Sequence, residues 1–411
     1  MSNKFQVLSL NCWGLKFVSK KRKERLEAIA QHLVESEYDI VGLQEIWVYN
    51  DFEMVRHKTR ASLPYTHFFH TGVFGAGLAI FSKFPIIKSF ATPYSLNGNP
   101  LKVLQGDWYV SKAVGCCHLL HPNGDIIEVY NTHLIAQYNP NDENGFHRAA
   151  QGWELSCILK DAVASGNHVI SLGDYNSIPD NLVITMIKSY AGLTDSWDEI
   201  NGSTVVYPPY NSGIKMSEIA SNNGLTCATP TNTLSGRINQ KQPGERLDYI
   251  FYRHTSDLKC LSSRVCLTEP VVCLKCSYSD HFGVCSVFTI TRKTKGEIEK
   301  ATDCSILDAG IIEQVVELLS SGLSNANKRR TGYLVQFGIG SGVWIILLIV
   351  CSVIRPPSWA IVIFDIFIVS SAIYSFLFFL MTVLYSRVEE GAFRRLYDDF
   401  HIARNRPSHY K

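Results

Sequence analysis

No long tract of one charge sign runs through this 411-residue chain, and its 39 Lys and Arg stand against 37 Asp and Glu. A net charge of +2 lacks the basic excess of a dedicated nucleic-acid binder. The start of the chain also lacks an apolar export leader: Met1–Leu10 reads MSNKFQVLSL, a strand pattern. Without export, the twelve cysteines read as reduced, mostly buried thiols rather than a disulfide framework. Cys273 and Cys276 form a C-x-x-C, but no second pair stands at the spacing of a four-ligand zinc site. The G-x-x-x-x-G-K-[ST] phosphate loop is missing as well, because GDWYVSK at 106–112 does not close on a helix in that pattern. There is no internal repeat. Too little polarity remains for disorder, since 46% of residues are hydrophobic.

What is present divides by composition. Residues 1–290 alternate short apolar runs with helical stretches, as an α/β chain with mixed sheets does. Strands are predicted at Phe5–Leu10, Asp39–Leu43, Leu78–Phe81, Ile126–Asn131, His168–Leu172, Leu247–Tyr252 and Val284–Ile290. Leu26, Ile29, Ala30 and Leu33 recur at helical spacing within Lys20–Glu37. Residues 291–332 form a linker with one amphipathic stretch, from Ile306 and Leu307 through Val315, Val316, Leu318 and Leu319. That stretch either packs on the main domain or lies in a membrane interface.

Residues 333–354 carry no charged side chain, and at 1.5 Å per residue they reach about 33 Å, enough for a bilayer core. After the turn Arg355-Pro356-Pro357, residues 358–385 are apolar again apart from Asp365. Two transmembrane helices in a hairpin are predicted, followed by a tail at 386–411. Lys328, Arg329 and Arg330 precede the first span, and Arg387, Arg394 and Arg395 follow the second. This bias places both ends in the cytosol. The loop at 201–223, with Val205-Val206-Tyr207-Pro208-Pro209-Tyr210, is either a lipid-dipping loop or a buried hairpin.

Six segments run from an apolar strand into polar chemistry. They are Leu10-Asn11-Cys12-Trp13-Gly14, Val41-Gly42-Leu43-Gln44-Glu45, Tyr130-Asn131-Thr132-His133-Leu134, Ser171-Leu172-Gly173-Asp174-Tyr175-Asn176, Arg246-Leu247-Asp248-Tyr249-Ile250 and Ser279-Asp280-His281-Phe282-Gly283. Alone, each is an ordinary surface or structural group. Together, strand ends on one rim make a concave polar site. Carboxylate and amide oxygens suit a hard ion such as Mg²⁺, and an imidazole beside a carboxylate suits a general base. No activated Ser or Cys stands out, so no covalent intermediate is required.

This ordered set resembles the deoxyribonuclease-I-like superfamily of endonucleases, exonucleases and phosphodiesterases. Within it, LNCWG, GLQE, GAGLAIFSK at 75–83, GDWYVSKAVG at 106–115, NTHL, GDYN, RLDYI, SDH and the paired spans are similar to the membrane-bound neutral sphingomyelinases. The resemblance implies a four-layered α/β sandwich of two packed sheets flanked by helices. It implies Mg²⁺-dependent hydrolysis of sphingomyelin to ceramide and phosphocholine, with Mn²⁺ as a substitute. Carried over residue by residue, Glu45 is the principal metal ligand with Asn11 beside it. His281 is the base, and Asp248 orients it. Asp174 and Asn176 meet the water or the phosphate, His133 reaches the phosphoryl oxygens, and Asp280 completes the metal and His region. Asp107 and Lys112, five apart, match a switch pair near the site. Their plain reading is an exposed salt bridge.

The implied partners are the sphingolipid substrate and the bilayer, with a homo-oligomer and anionic-lipid activation allowed. The implied place is an endoplasmic reticulum, nuclear or plasma membrane. The motifs bind phosphate and not headgroup. A phospholipase C on inositol phosphosphingolipids, lyso-phosphatidylcholine or lyso-platelet-activating factor therefore stays open. A nuclease or polyphosphate phosphatase is disfavoured by near-neutral charge. A non-enzymatic adaptor is disfavoured by the intact set of polar residues.

Overall fold

The computed structural model of the chain describes residues 3–202, 221–235, 244–292, 309–354 and 357–404. The expectation for loop 201–223 falls almost wholly outside the described residues, as do those for Ile306, Leu307 and Arg355. Two units separate at Ile311/Ile312.

Among the described residues the first unit has twelve strands in two sheets. One sheet holds β1 (Lys4–Asn11), β2 (Ile40–Gln44), β3 (Tyr65–Phe69), β4 (Leu78–Ser82), β11 (Leu258–Cys266) and β12 (Gly283–Ile290). Its order is β11-β12-β1-β2-β4-β3. The other holds β5 (Ile86–Pro93), β6 (Ala113–Leu120), β7 (Ile126–His133), β8 (His168–Asp174), β9 (Thr194–Asp195) and β10 (Asp248–Tyr252). Its order is β5-β6-β7-β8-β10-β9. Only β1/β2 and β7/β8 run parallel among these pairs, so both sheets are mixed.

The seven predicted strands all appear, with ends shifted by one to two residues. β3, β5, β6, β9 and β11 were not anticipated. β5 is an edge strand with a largely exposed face, so it has no apolar alternation to read.

Period-two alternation assigns the side chains to layers. Val7 of β1 points between the sheets, into a core with Ile40, Ile80, Ile127, Val129, Ile170, Ile250 and Phe288. Leu8 and Leu10 point outward, onto Leu26, Ile29 and Leu33 of helix Arg22–Glu35 and onto Phe52 and Val55 of helix Tyr49–Thr59. On the far side, Val169 and Tyr130 meet Leu155 and Leu159 of helix Gly145–Ala164 and Ile184 of helix Leu182–Ser189. Three apolar cores thus separate four layers, the predicted sandwich.

Buried polar bridges cross the central core at one end. Gln44 Nε2 donates to Asn131 Oδ1 at 2.8 Å, and Asn131 Nδ2 donates to the carbonyls of Leu43 and Ala79 at 3.0 and 2.9 Å. The two sheets are therefore stitched together directly behind their Asn11, His133 and Asp174 ends.

The second unit is helical. Helix Ala309–Ile354 runs unbroken through the first predicted span, and helix Ser358–Leu380 covers most of the second. Both are long and apolar enough to cross a membrane. A π turn at Met381–Tyr385 leads into helix Ser386–Arg404. The amphipathic stretch before the first span is thus the start of one long helix, and its apolar side is covered within the same unit. Gly322 sits against the Phe393 ring, and Val315, Leu319, Phe393, Leu396 and Phe400 are buried. Arg329 donates to Glu389 at 2.7 Å, and Tyr385 donates to the same carboxylate at 2.8 Å. In the apolar part, Ser341 and Ser375 hydroxyls meet at 2.6 Å. Asp365 is exposed rather than placed between the two helices.

Asn131→Ala removes three buried hydrogen bonds and leaves Gln44 without that partner. Unsatisfied buried groups cost about 1–3 kcal/mol each, so a loss of about 2–4 kcal/mol is expected. Thermal unfolding of the variant checks this, and wild-type stability would show that the bridge contributes nothing.

Candidate active site

Strand ends from both sheets meet at one edge of the sandwich. β1 ends at Asn11, and Glu45 follows β2. β7 ends at His133, β8 ends at Asp174 and β10 begins at Asp248. His281 stands two residues before β12. Register keeps them level: His133 and Asp248 are the neighbours of Asp174 on its two sides.

Asp174 is the hub. Its Oδ2 accepts from Asn11 Nδ2 at 3.0 Å and lies 3.5 Å from His133 Nε2 and 3.9 Å from His281 Nε2. Its Oδ1 accepts from the Asn176 backbone N–H at 2.9 Å. Asn11 Nδ2 also reaches Glu45 Oε1 at 3.2 Å, while its Oδ1 accepts from the Trp13 N–H. Asn11 therefore joins two carboxylates as a donor. To act as a metal ligand it must turn its amide over. His281 Nδ1 lies 2.8 Å from Asp248 Oδ2. Asp280 is bonded by Ser279 at 3.3 Å.

The two imidazoles sit in opposite fields. Burial, Lys112 and His281 all push His133 well below the usual histidine range. For His281, burial favours the neutral ring, but Cys227, Asp248 and Asp174 outweigh it and hold the imidazolium well above that range. Burial and the charge of Asp248 push the Asp174 carboxyl up to about 7. Burial and Glu45 push Asp280 up to about 6, against the pull of His281.

Lys112 and Asp107 are not an exposed salt bridge. Both are buried and 3.6 Å apart, and Lys112 Nζ is 2.8 Å from His133 Nε2. Burial raises the Asp107 carboxyl, while Lys112 opposes the shift. Asn176 is brought to the site but spends its Nδ2 on the Leu134 carbonyl at 2.9 Å.

Backbone strain concentrates here. Trp13, Glu45 and Asn176 adopt φ of 46°, 56° and 46°, a region costly for residues with a side chain. Two glycines permit the close approach. A Cβ on Gly14 would stand 2.3 Å from the Glu45 carbonyl oxygen, and one on Gly173 would stand 2.0 Å from that of Thr132. The LNCWG and GDYN motifs are therefore fixed by backbone contacts as much as by their polar side chains.

Several supporting residues had no role assigned from the sequence. Arg25 lies buried under the site and donates to the carbonyls of Cys12, Tyr278 and Trp13 at 2.9, 2.8 and 2.8 Å. Trp47 faces His133 with centroids 6.3 Å apart and Lys112 Nζ at 5.7 Å. Cys227 pairs with His281 in a β-bridge. Trp47 had a signal, standing two residues after Glu45. Arg25 had none, since it occupies an ordinary charged position in a helix.

Residues 8–281 match the Endonuclease/Exonuclease/phosphatase family. The chain belongs to the endonuclease/exonuclease/phosphatase family. Like other members of this family of hydrolytic enzymes, it is similar to curated relatives over most of its length. An inositol phosphosphingolipids phospholipase C of Schizosaccharomyces pombe is 41% identical over 74% of this chain and 72% of its own. A putative neutral sphingomyelinase of Caenorhabditis elegans is 31% identical over 81% of this chain and 77% of its own. Among solved structures, sphingomyelinase C from Streptomyces griseocarneus superposes with a TM-score of 0.50 at 16% identity. It covers 69% of this chain and 99% of its own, and supports the fold alone.

The family implies a metal, and the donor set fits a hard divalent cation. Carboxylates gather here: burial and Asp248 push Asp174 up, and burial and Glu45 push Asp280 up, as a site short of positive charge does. Asp248 Oδ1 is buried with no hydrogen-bond partner among the described residues. Asp174, Asp248 and His281 each offer a ligand atom within 4.8 Å of the others, although His281 and Asp248 already bond to each other. A second cluster, Cys116, His118 and Glu128, lies elsewhere. There Glu128 is already engaged by Tyr130, Ser165 and Asn167 at 2.7, 3.0 and 2.6 Å, as a structural network is.

In a histidine-resolved NMR titration of the metal-free chain, His281 should be charged at pH 7 and His133 neutral. Asp248→Asn removes a negative partner, so the His281 midpoint should fall by about one unit or more. An unmoved midpoint would contradict the electrostatic account.

Proposed function

We propose that the chain is a membrane-anchored phospholipase C-type phosphodiesterase of sphingolipids, taking sphingomyelin to ceramide and phosphocholine. The reading is carried by the Asp248–His281–Asp174 constellation at the converging strand ends, in a chain similar over most of its length to enzymes named for sphingolipid cleavage.

Asp248 on Nδ1 fixes the ring so that His281 Nε2 faces the reacting water. Water oxygen bonds to phosphorus as the bond from phosphorus to the ceramide oxygen breaks. The water proton goes to Nε2, the ceramide alkoxide leaves and takes a proton from solvent water, and His281 returns its proton to solvent. Asp174, between the two imidazoles, orients the water. His133, kept neutral, accepts from the Lys112 ammonium, and the pair stands where negative charge builds on the phosphoryl oxygens. Asn176 holds the loop beside Asp174, and Asp280 adds to the carboxylate group around Glu45. Mg²⁺, with Mn²⁺ as a substitute, supplies charge neutralisation when held by Glu45 with Asp174 and Asn11 beside it.

The flanking cations Lys328, Arg329, Arg330, Arg387, Arg394 and Arg395 support two spans with both ends cytosolic. A second reading has its own support. The 41% identical relative is named for inositol phosphosphingolipids, so that headgroup is the alternative substrate.

Glu45→Gln should remove most turnover at limiting Mg²⁺ and leave the fold intact. His281→Ala should lose about 10²–10⁴-fold, because only the base is removed. His281 is held charged in the metal-free chain, and a divalent cation at Glu45 would lower its midpoint, so wild-type kcat/KM with Mg²⁺ should climb from acid to neutral pH as the ring loses its proton. In Asp248→Asn that limb should move to lower pH at reduced rate. A flat profile between pH 5 and 7.5 would assign the proton to another group. A headgroup panel in mixed micelles with Mg²⁺ separates the two substrates. Cleavage of neither would overturn the sphingolipid reading.

A further inference from the structure

The active-site end of the first unit carries large apolar side chains that are exposed among the described residues. Three connections contribute them: residues 12–21 after β1, residues 70–77 between β3 and β4, and residues 94–112 between β5 and β6. All three leave or enter their strands at the end where Asn11, His133 and Asp174 lie, as the pairings require. Phe17 is 92% exposed, Phe74 65% and Leu104 fully exposed, and Val18, Val73 and Trp108 are exposed as well.

These are ordered surfaces. Val73 and Phe74 N–H groups both donate to the Tyr109 carbonyl, at 3.1 and 3.3 Å. Thr71 Oγ1 donates to the Ser111 carbonyl at 3.1 Å, and Tyr109 OH donates to the Pro100 carbonyl at 2.8 Å. The second and third connections thus form one body. Within it the turn Asp107–Val110 buries Asp107 toward the site and turns Trp108 out. Scattered single apolar residues need no explanation, but a group of this size around one mouth does.

The first connection also says what covers it. From Asn11 to Lys23 there is no acidic residue, and Lys16, Lys20 and Lys23 are exposed around Phe17 and Val18. Lys16 Nζ lies over the Phe17 ring at 5.4 Å. Exposed aromatic and aliphatic tips beside exposed lysines match the interface of a bilayer with anionic headgroups.

We propose that this apolar and basic crown docks into an anionic phospholipid surface and sets the mouth of the site against it. The proposal rests on the sphingolipid reading for its purpose. The helices would keep the chain at a bilayer, and the crown selects the face that meets it. A substrate phosphodiester lies at headgroup depth, so a mouth ringed by inserting side chains receives it with little lipid extraction.

The test uses the full chain reconstituted in vesicles of phosphatidylcholine with or without phosphatidylserine. A polarity-sensitive fluorophore is placed at Leu104→Cys in a Cys273→Ser background, because Cys273 is an exposed thiol. Its emission should shift to the blue and be quenched by lipid-borne nitroxide, more strongly with phosphatidylserine. The combined Phe17→Ser, Phe74→Ser and Leu104→Ser variant should lose about tenfold or more in kcat/KM on vesicle sphingomyelin. On a short, water-soluble phosphodiester analogue it should stay within about twofold of wild type. A fluorophore that remains in water beside both vesicles overturns the proposal, and so does a triple serine variant with normal vesicle turnover. Shielding that depends on protein concentration and not on lipid overturns it too, and assigns the face to a second copy of the chain. Failure of wild type to cleave any sphingolipid would defeat the substrate reading, whereas the fluorophore still reports on docking.

Discussion

The catalytic edge depends on how tightly two sheets are held together at one end. Asn11 of one sheet donates to Asp174 of the other, and Gln44 and Asn131 close the same gap behind them. Apolar packing alone would let the sheets slide, since burial is not directional. Buried amide bridges are directional, and breaking one strands polar groups in the core. They fix the strand ends so that groups far apart in sequence sit within about 4 Å of Asp174.

That proximity explains the division of labour between the two histidines. They flank the same carboxylate, yet Lys112 stands on the His133 side and Asp248 on the His281 side. A cation and an anion placed within hydrogen-bond reach pull the rings in opposite directions. His133 stays neutral as an acceptor for Lys112, and His281 has the higher affinity for a proton. Asp174 and Asp280 resist ionisation in this setting, and a divalent cation would relieve that.

Much of this was legible in the chain. Strands with apolar alternation showed themselves, and each polar motif stood at a strand end that the fold brings to the rim. The four layers were implied by the family resemblance, and the alternation seen along the strands fits them. The edge strand β5 was not legible, because its exposed face carries no periodic signal. Nor was Arg25, whose role comes from three carbonyls distant in sequence. Lys112 and Asp107 showed their spacing but not their burial, since charged residues in a loop ordinarily face water. The pairing of residues 309–332 with 386–404 was hidden for a related reason: an amphipathic helix announces an apolar face and not the partner that covers it.

The central claim is a single displacement by water at phosphorus, assisted by His281, with no enzyme-bound intermediate. The stereochemistry at phosphorus tests it most directly. A chiral phosphorothioate analogue of sphingomyelin is hydrolysed in isotopically labelled water, and the configuration of the released phosphocholine analogue is determined. One in-line attack predicts inversion. Retention would require two displacements through a covalent intermediate and would contradict the account.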